Sequence, residues 1–284
     1  MPRLLSFIFC ICLASFTQAA TIFVSVPPLV PVLKALDADN QVESLVTAGY
    51  SPATYSPTPR QLVALSNADI FVRSGLPYEA AWMNRIKTVN PSILIVDLRD
   101  GIELLEHHHH DGHDEDTDPH LWTDPSLIAN QLDKLAQALI KLTPDREQAI
   151  ANNYLSYLQQ LLDIDSQIRT LLAPYANNTF YVYHPAWSYF AKRYQLNQVS
   201  LERGGKDFGP HALEHVLEAS RHNTHRVLFV QPQFDRRLAQ RVADEIHGHV
   251  VTIDPLSDTY PMNLLDAATA LKKAFSHEQT SNQN

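Results

Sequence analysis

Eight short runs rich in β-branched and aromatic residues, separated by helix-length segments, constrain this chain most strongly. In the first half they are residues 22–26, 42–46, 70–73 and 93–98; in the second, residues 180–183, 198–201, 226–230 and 250–254. Their length and composition suit strands buried on both faces. Strands that alternate with helices call for parallel pairing, because parallel neighbours need a crossover rather than a tight turn. Four runs in each half predict two small parallel-sheet α/β lobes. Between them, apolar residues recur at Ile150, Tyr154, Leu155, Leu158, Leu161, Leu162, Ile164, Ile168, Leu171 and Leu172. That is helical spacing over about 28 residues, or roughly 40 Å. Thr143 is the expected cap, Pro144 the first helical residue and Glu147 the partner in a capping box, with Pro174 ending the helix. One long rigid helix bridging two lobes makes a stiff connection, not a flexible linker.

The N-terminus has Arg3, an apolar core over residues 4–16 and small residues at 17–19, the pattern of a secretory signal peptide. Cys10 and Cys12 fall inside it, with no lipobox, so the exported chain carries no cysteine. A chain of about 265 residues is then stabilised by its cores, without disulfides. The expected organisation is signal peptide 1–19, N-terminal lobe 20–142 with a His-rich loop at 106–118, linking helix 143–173 and C-terminal lobe 174–284. The net charge of −9 and the lack of a Lys/Arg-rich tract exclude nucleic acid as an expected partner.

Five of the seven residues from 107 to 113 are histidine, and an acidic run follows. Imidazole and carboxylate are ligands for Zn²⁺ and its first-row neighbours. The tract is compositional evidence only. Beside it, DPHLW at residues 118–122 reads as a structured piece. In open parallel sheets ligands gather beyond the carboxyl ends of strands. His120 follows the fourth run, His184 directly follows the fifth, and Asp254 ends the eighth. These three are the candidate metal ligands. Each also has an ordinary reading: a strand-end histidine as a hydrogen-bonded polar residue, and Asp254 before Pro255 as a turn or helix cap. His211 with His215, and His222 with His225, have helical spacing and read as exposed helix histidines.

DPHLWTDP at residues 118–125 resembles the DPHxWxDP motif of the cluster A-I (ZnuA/TroA-like) metal-binding proteins of ABC transporters. The segment GYSPATYSPTP (49–59) is similar to that family's G-x-[SD]-P-H-x-Y-E-P-T-P. Further matches are Ala68, Asp69, Ile70 and Trp82, then HPAWSYF (184–190), VQPQF (230–234) and DPL (254–256). The resemblance implies two α/β lobes bridged by a rigid helix, with the metal in the interlobe cleft. It implies a periplasmic solute-binding protein that delivers a divalent metal to an inner-membrane ABC permease. Family ligands fall on His120, His184 and Asp254. The family's His/acidic loop stands where residues 107–116 do, mainly in zinc members.

The chain departs from the pattern at the first ligand. Ala53 occupies the position of the family's first His, and no histidine precedes His107. Ser56 and Gln231 stand where family carboxylates are frequent. Water, a histidine of the tract, His211 or an exogenous chelator is left to fill the place. Imidazole suits zinc better than manganese, so Zn²⁺ is the expected cargo, with Mn²⁺ or another first-row metal as the alternative. A periplasmic chaperone or storage protein, an adhesin, or a receptor for a metal chelate are alternative roles. An enzyme is not expected: no His-Glu-x-x-His helix occurs. The expected state is a monomer.

Overall fold

The computed structural model describes residues 19–47, 49–106, 117–202, 210–221 and 226–281, without side chains at 210–213, 215 and 277–281. Residues 1–18 of the expected signal peptide, the tract at 107–113, His222 and His225 lie outside the described residues, as do the side chains of His211 and His215. All eight expected strands form. The N-terminal lobe holds β1 (Thr21–Val24), β2 (Gln41–Ser44), β3 (Ile70–Arg73) and β4 (Leu94–Asp97) in the order β2-β1-β3-β4. The C-terminal lobe holds β5 (Thr179–Val182), β6 (Asn197–Ser200), β7 (Val227–Val230) and β8 (His249–Thr252) in the order β6-β5-β7-β8. Every pairing is parallel. The two lobes therefore share one topology. Burial on both faces holds for the central β1, β3, β5 and β7 but not for β2, β6 and β8, which are partly exposed. An edge strand has a neighbour on one side only, so its outer half meets solvent.

Helices α1 (Leu29–Leu36), α2 (Pro59–Leu65) and α3 (Pro77–Val89) cross between the first four strands. After β4 the chain reaches α4 (Pro125–Leu142), then the linking helix α5 (Glu147–Leu172). Its 26 residues span about 39 Å. Thr143 does not cap it. Its hydroxyl instead donates to Leu139 O at 3.1 Å, ending α4, and Pro144–Arg146 forms a separate 3-10 turn. Thr143 serves the preceding helix because α4 and α5 meet with almost no loop. The second lobe adds α6 (Ser188–Arg193), α7 (Pro210–Arg221), α8 (Arg236–Glu245) and α9 (Met262–Ser281). Among the described residues no helix is long and apolar enough to cross a membrane.

One large apolar core runs through both lobes and includes Leu135 and Leu139 of α4, Leu161 and Ile168 of α5, and Leu271 and Phe275 of α9. A shared core is what makes the bridge stiff: bending it would open packed apolar surface to water. Polar contacts reinforce it. Arg193 of α6 grips Asp165 of α5 through Nε and Nη2 at 2.9 and 2.7 Å, and Tyr194 donates to the same carboxylate at 3.1 Å.

Candidate metal centre

Each sheet reverses its strand order beside its first strand, which opens a crevice at the carboxyl ends. The two crevices are filled differently. In the N-terminal lobe a fully buried Glu79 takes the space. It accepts from Ser25 Oγ (2.6 Å), Arg73 Nε (3.0 Å), Ser74 N (3.2 Å) and Gly75 N (2.9 Å). Its lone pairs are used by the fold. In the C-terminal lobe the equivalent position, just past β5, carries His184. The N-terminal lobe contributes instead from beyond β4, through His120.

His120 lies on a tight turn that Asp118 builds. One oxygen of Asp118 accepts from His120 N at 2.9 Å and lies 2.7 Å from Nδ1. A carboxylate accepts, so Nδ1 carries a hydrogen, and in the neutral imidazole Nε2 is then the acceptor. The ring is buried and meets Trp122 edge-on at 5.2 Å. Trp122 is fully buried and donates from Nε1 to Pro255 O at 2.7 Å, across the interlobe cleft. Tyr189 of α6 crosses the cleft too, donating to Asp118 O at 2.9 Å and accepting from Leu105 N at 3.1 Å. Burial pushes the Tyr189 hydroxyl up to about 12, the bond from Leu105 opposes this, and Asp118 adds to it. It stays a neutral donor. Glu106 and Thr117 form an antiparallel bridge directly before Asp118.

His184 has a matching arrangement. Its Nδ1 is 2.7 Å from Glu202 Oε2, and Phe234 stacks beside the ring at 6.0 Å. The Nε2 atoms of His184 and His120 face each other at 3.4 Å. With both Nδ1 atoms held by carboxylates, the neutral rings turn their two Nε2 acceptors to one point, which suits a cation there. Two Zn–N bonds of 2.0–2.1 Å at a tetrahedral angle hold their nitrogens about 3.3–3.4 Å apart. The donor pair fits that ion.

Asp254 follows β8 in the loop that receives Trp122. Its Oδ1 accepts from Leu256 N at 2.9 Å and lies 3.4 Å from Gln233 Nε2. The carboxylate thus shapes its own turn, the ordinary role open to an Asp before Pro. Gln233 Oε1 is buried with no hydrogen-bond partner among the described residues. Among those residues no set of three or more His, Cys, Asp or Glu groups converges at metal-binding range. The structure brings His120 and His184 together and leaves Asp254 to one side. Ala53 is exposed on the short turn Pro52–Thr54, and the Tyr55 hydroxyl is engaged with Gln61 Oε1 at 2.9 Å.

Sequence reasoning missed Asp118 and Glu202 as the carboxylates behind the imidazoles. Asp118 had a signal, since an Asx-Pro-His turn places its oxygens over the following amides. Glu202 had none: only strand register brings it to His184.

The chain is similar to the high-affinity zinc uptake system protein ZnuA of Bacillus subtilis (strain 168), at 25% identity over 234 residues, covering 76% of this chain and 71% of that protein. It is also 25% identical to the zinc-binding lipoprotein AdcA of Streptococcus pneumoniae over 76% of this chain, which is 45% of AdcA. A crystal structure of ZnuA superposes with a TM-score of 0.84 at 31% identity, covering 91% of this chain and all of the other. The family described as zinc-uptake complex component A, periplasmic, matches residues 22–274. The chain belongs to that zinc-uptake component A family.

Proposed function

We propose that this protein is a periplasmic receptor that captures Zn²⁺ and delivers it to an ABC permease, after export directed by residues 1–19. The observation that carries this reading is the pair of imidazoles facing each other at 3.4 Å, each backed by a carboxylate. The relatives named for zinc uptake and zinc binding support it. His120 and His184 are the two nitrogen ligands. Asp254 is the third ligand, reached by a side-chain movement that releases Leu256 N. Water, or an imidazole of the tract, completes four-coordination in the place of the family's first His. Two imidazoles with one carboxylate favour Zn²⁺ over Mn²⁺, which prefers an oxygen-rich set. The protein acts as a monomer and catalyses no reaction.

The test is a competition titration of metal-free mature protein with Zn²⁺. One tight stoichiometric site is expected, lost in both His120→Ala and His184→Ala. If both variants kept that site, the assignment would be wrong. An exposed Ala53 favours a second reading, in which a chelator's donor atom takes the vacant position. Tighter retention of chelated zinc than of free zinc in the same titration would select it.

A further inference from the structure

We infer that Glu202 is the positioning residue of the zinc site, setting which nitrogen of His184 faces the metal. The inference rests on the reading of His184 as a ligand. Its basis is register. Strands β5 and β6 pair in parallel with Val182 opposite Ser200. The strands end there, and His184 and Glu202 come two residues further along each chain; backbone contact continues past the strand ends, Leu201 N donating to Val182 O and Glu202 N to Tyr183 O, both at 2.9 Å. The glutamate therefore has no long reach to make, and its carboxylate meets Nδ1 at 2.7 Å.

Both side chains are mostly shielded, at 12% exposure for His184 and 13% for Glu202. A shielded carboxylate accepts strongly and admits little competition from water. It selects the Nδ1–H form of His184 and leaves the Nε2 lone pair for the metal. It also stops ring rotation, which would otherwise cost the metal its donor. Phe234 limits the ring from the flank. Asp118 does the same for His120, but it lies two residues away on the same turn. Glu202 lies just past the end of the neighbouring strand β6, so the geometry of the centre depends on correct β5–β6 pairing.

Substitutions separate orientation from charge. Glu202→Gln keeps the reach and an accepting oxygen but removes the charge. Glu202→Asp keeps the charge but draws the acceptor back by one methylene. Zinc affinity is measured by competition, and the His184 tautomer by ¹⁵N NMR on metal-free protein. Loss of an outer-shell partner typically weakens metal binding 10–100-fold. Glu202→Ala is expected to lose about that much and to give a mixed tautomer, with Glu202→Asp following it and Glu202→Gln remaining near the parent. Glu202→Gln weaker than Glu202→Asp would overturn the inference, since charge would then be the contribution. Unchanged affinity in Glu202→Ala and Glu202→Asp, with binding lost in His184→Ala, would overturn it while keeping His184 as a ligand. Unchanged affinity in His184→Ala would instead remove the reading on which it rests. If Glu202→Ala does not fold, the Gln and Asp pair decides.

Discussion

His120 and His184 are 64 positions apart in the chain, belong to different lobes, and place their Nε2 atoms 3.4 Å from each other. Neither ring is free to turn, because each Nδ1 is held at 2.7 Å by its own carboxylate. On the proposed reading the pair is the bite for one cation, carried by two lobes that the α5 bridge joins through a shared core.

Removing either imidazole should therefore cost more than removing a carboxylate behind it. His120→Ala and His184→Ala are each expected to weaken zinc binding by more than about 100-fold, beyond the 10–100-fold typical of outer-shell partners. Competition against a fluorescent chelator reads this directly. A loss below tenfold in either variant would remove that residue from the site.

Zinc binds the folded state and should stabilise it. At a thousand times Kd the gain is about 4 kcal/mol, which for a chain of this size is a rise in Tm on the order of 10 °C. Excess EDTA should reverse it. The double variant His120→Ala/His184→Ala should show no rise in differential scanning calorimetry.

Trp122 should matter to stability apart from metal. Its ring is fully buried and its Nε1 spans the cleft to Pro255 O. Trp122→Phe keeps most of the packing but strands a buried carbonyl, an expected cost of about 1–3 kcal/mol. Trp122→Ala should cost about 3–5 kcal/mol from the cavity. Urea denaturation of metal-free protein measures both, and a Trp122→Phe variant as stable as the parent would mean that the hydrogen bond contributes nothing.

Acid should loosen the joint between α5 and α6. Burial alone would raise the Asp165 carboxyl, but Arg193 and Tyr194 together hold it below the usual range. A carboxyl whose folded pKa lies below its unfolded value stabilises the fold above about pH 4. That stability falls away as pH drops through the folded value. Asp165→Asn should lower stability at pH 7 by about 1–2 kcal/mol, since Arg193 keeps contact with water. It should also flatten the acid limb of the stability curve. An acid limb of unchanged slope would show that the pair is not coupled to folding.

Ala53 gives a gain-of-function test. On the proposed reading, Ala53→His supplies the first imidazole that the family resemblance implies, and it should tighten zinc binding at least tenfold, about 1.4 kcal/mol. Replacing residues 107–113 with a Gly/Ser linker should weaken binding in the parent but not in Ala53→His. Equal effects in the two backgrounds would assign the tract no part in coordination.

Much of the fold was legible because it is written in short-range patterns. Central strands such as residues 70–73 show as apolar runs because both faces are covered, and α5 shows as a helical period because one stripe is buried. The edge strands were placed correctly but not their exposure, since a run of residues does not reveal its position in the sheet. Thr143 carried a capping signal and served the other helix, because the signal does not say on which side the helix lies.

By itself the sequence determined the two-lobe plan, the stiff bridge and the identity of His120 and His184 as residues beyond strand ends. Those follow from periodicity, strand length and a motif, all local. Only the tertiary structure decided that the two imidazoles share a point, that Glu79 closes the N-terminal crevice, and that Glu202 stands behind His184. The reason is physical: such contacts depend on strand register and lobe packing, which sum many weak interactions over the whole chain and leave no mark on any one segment.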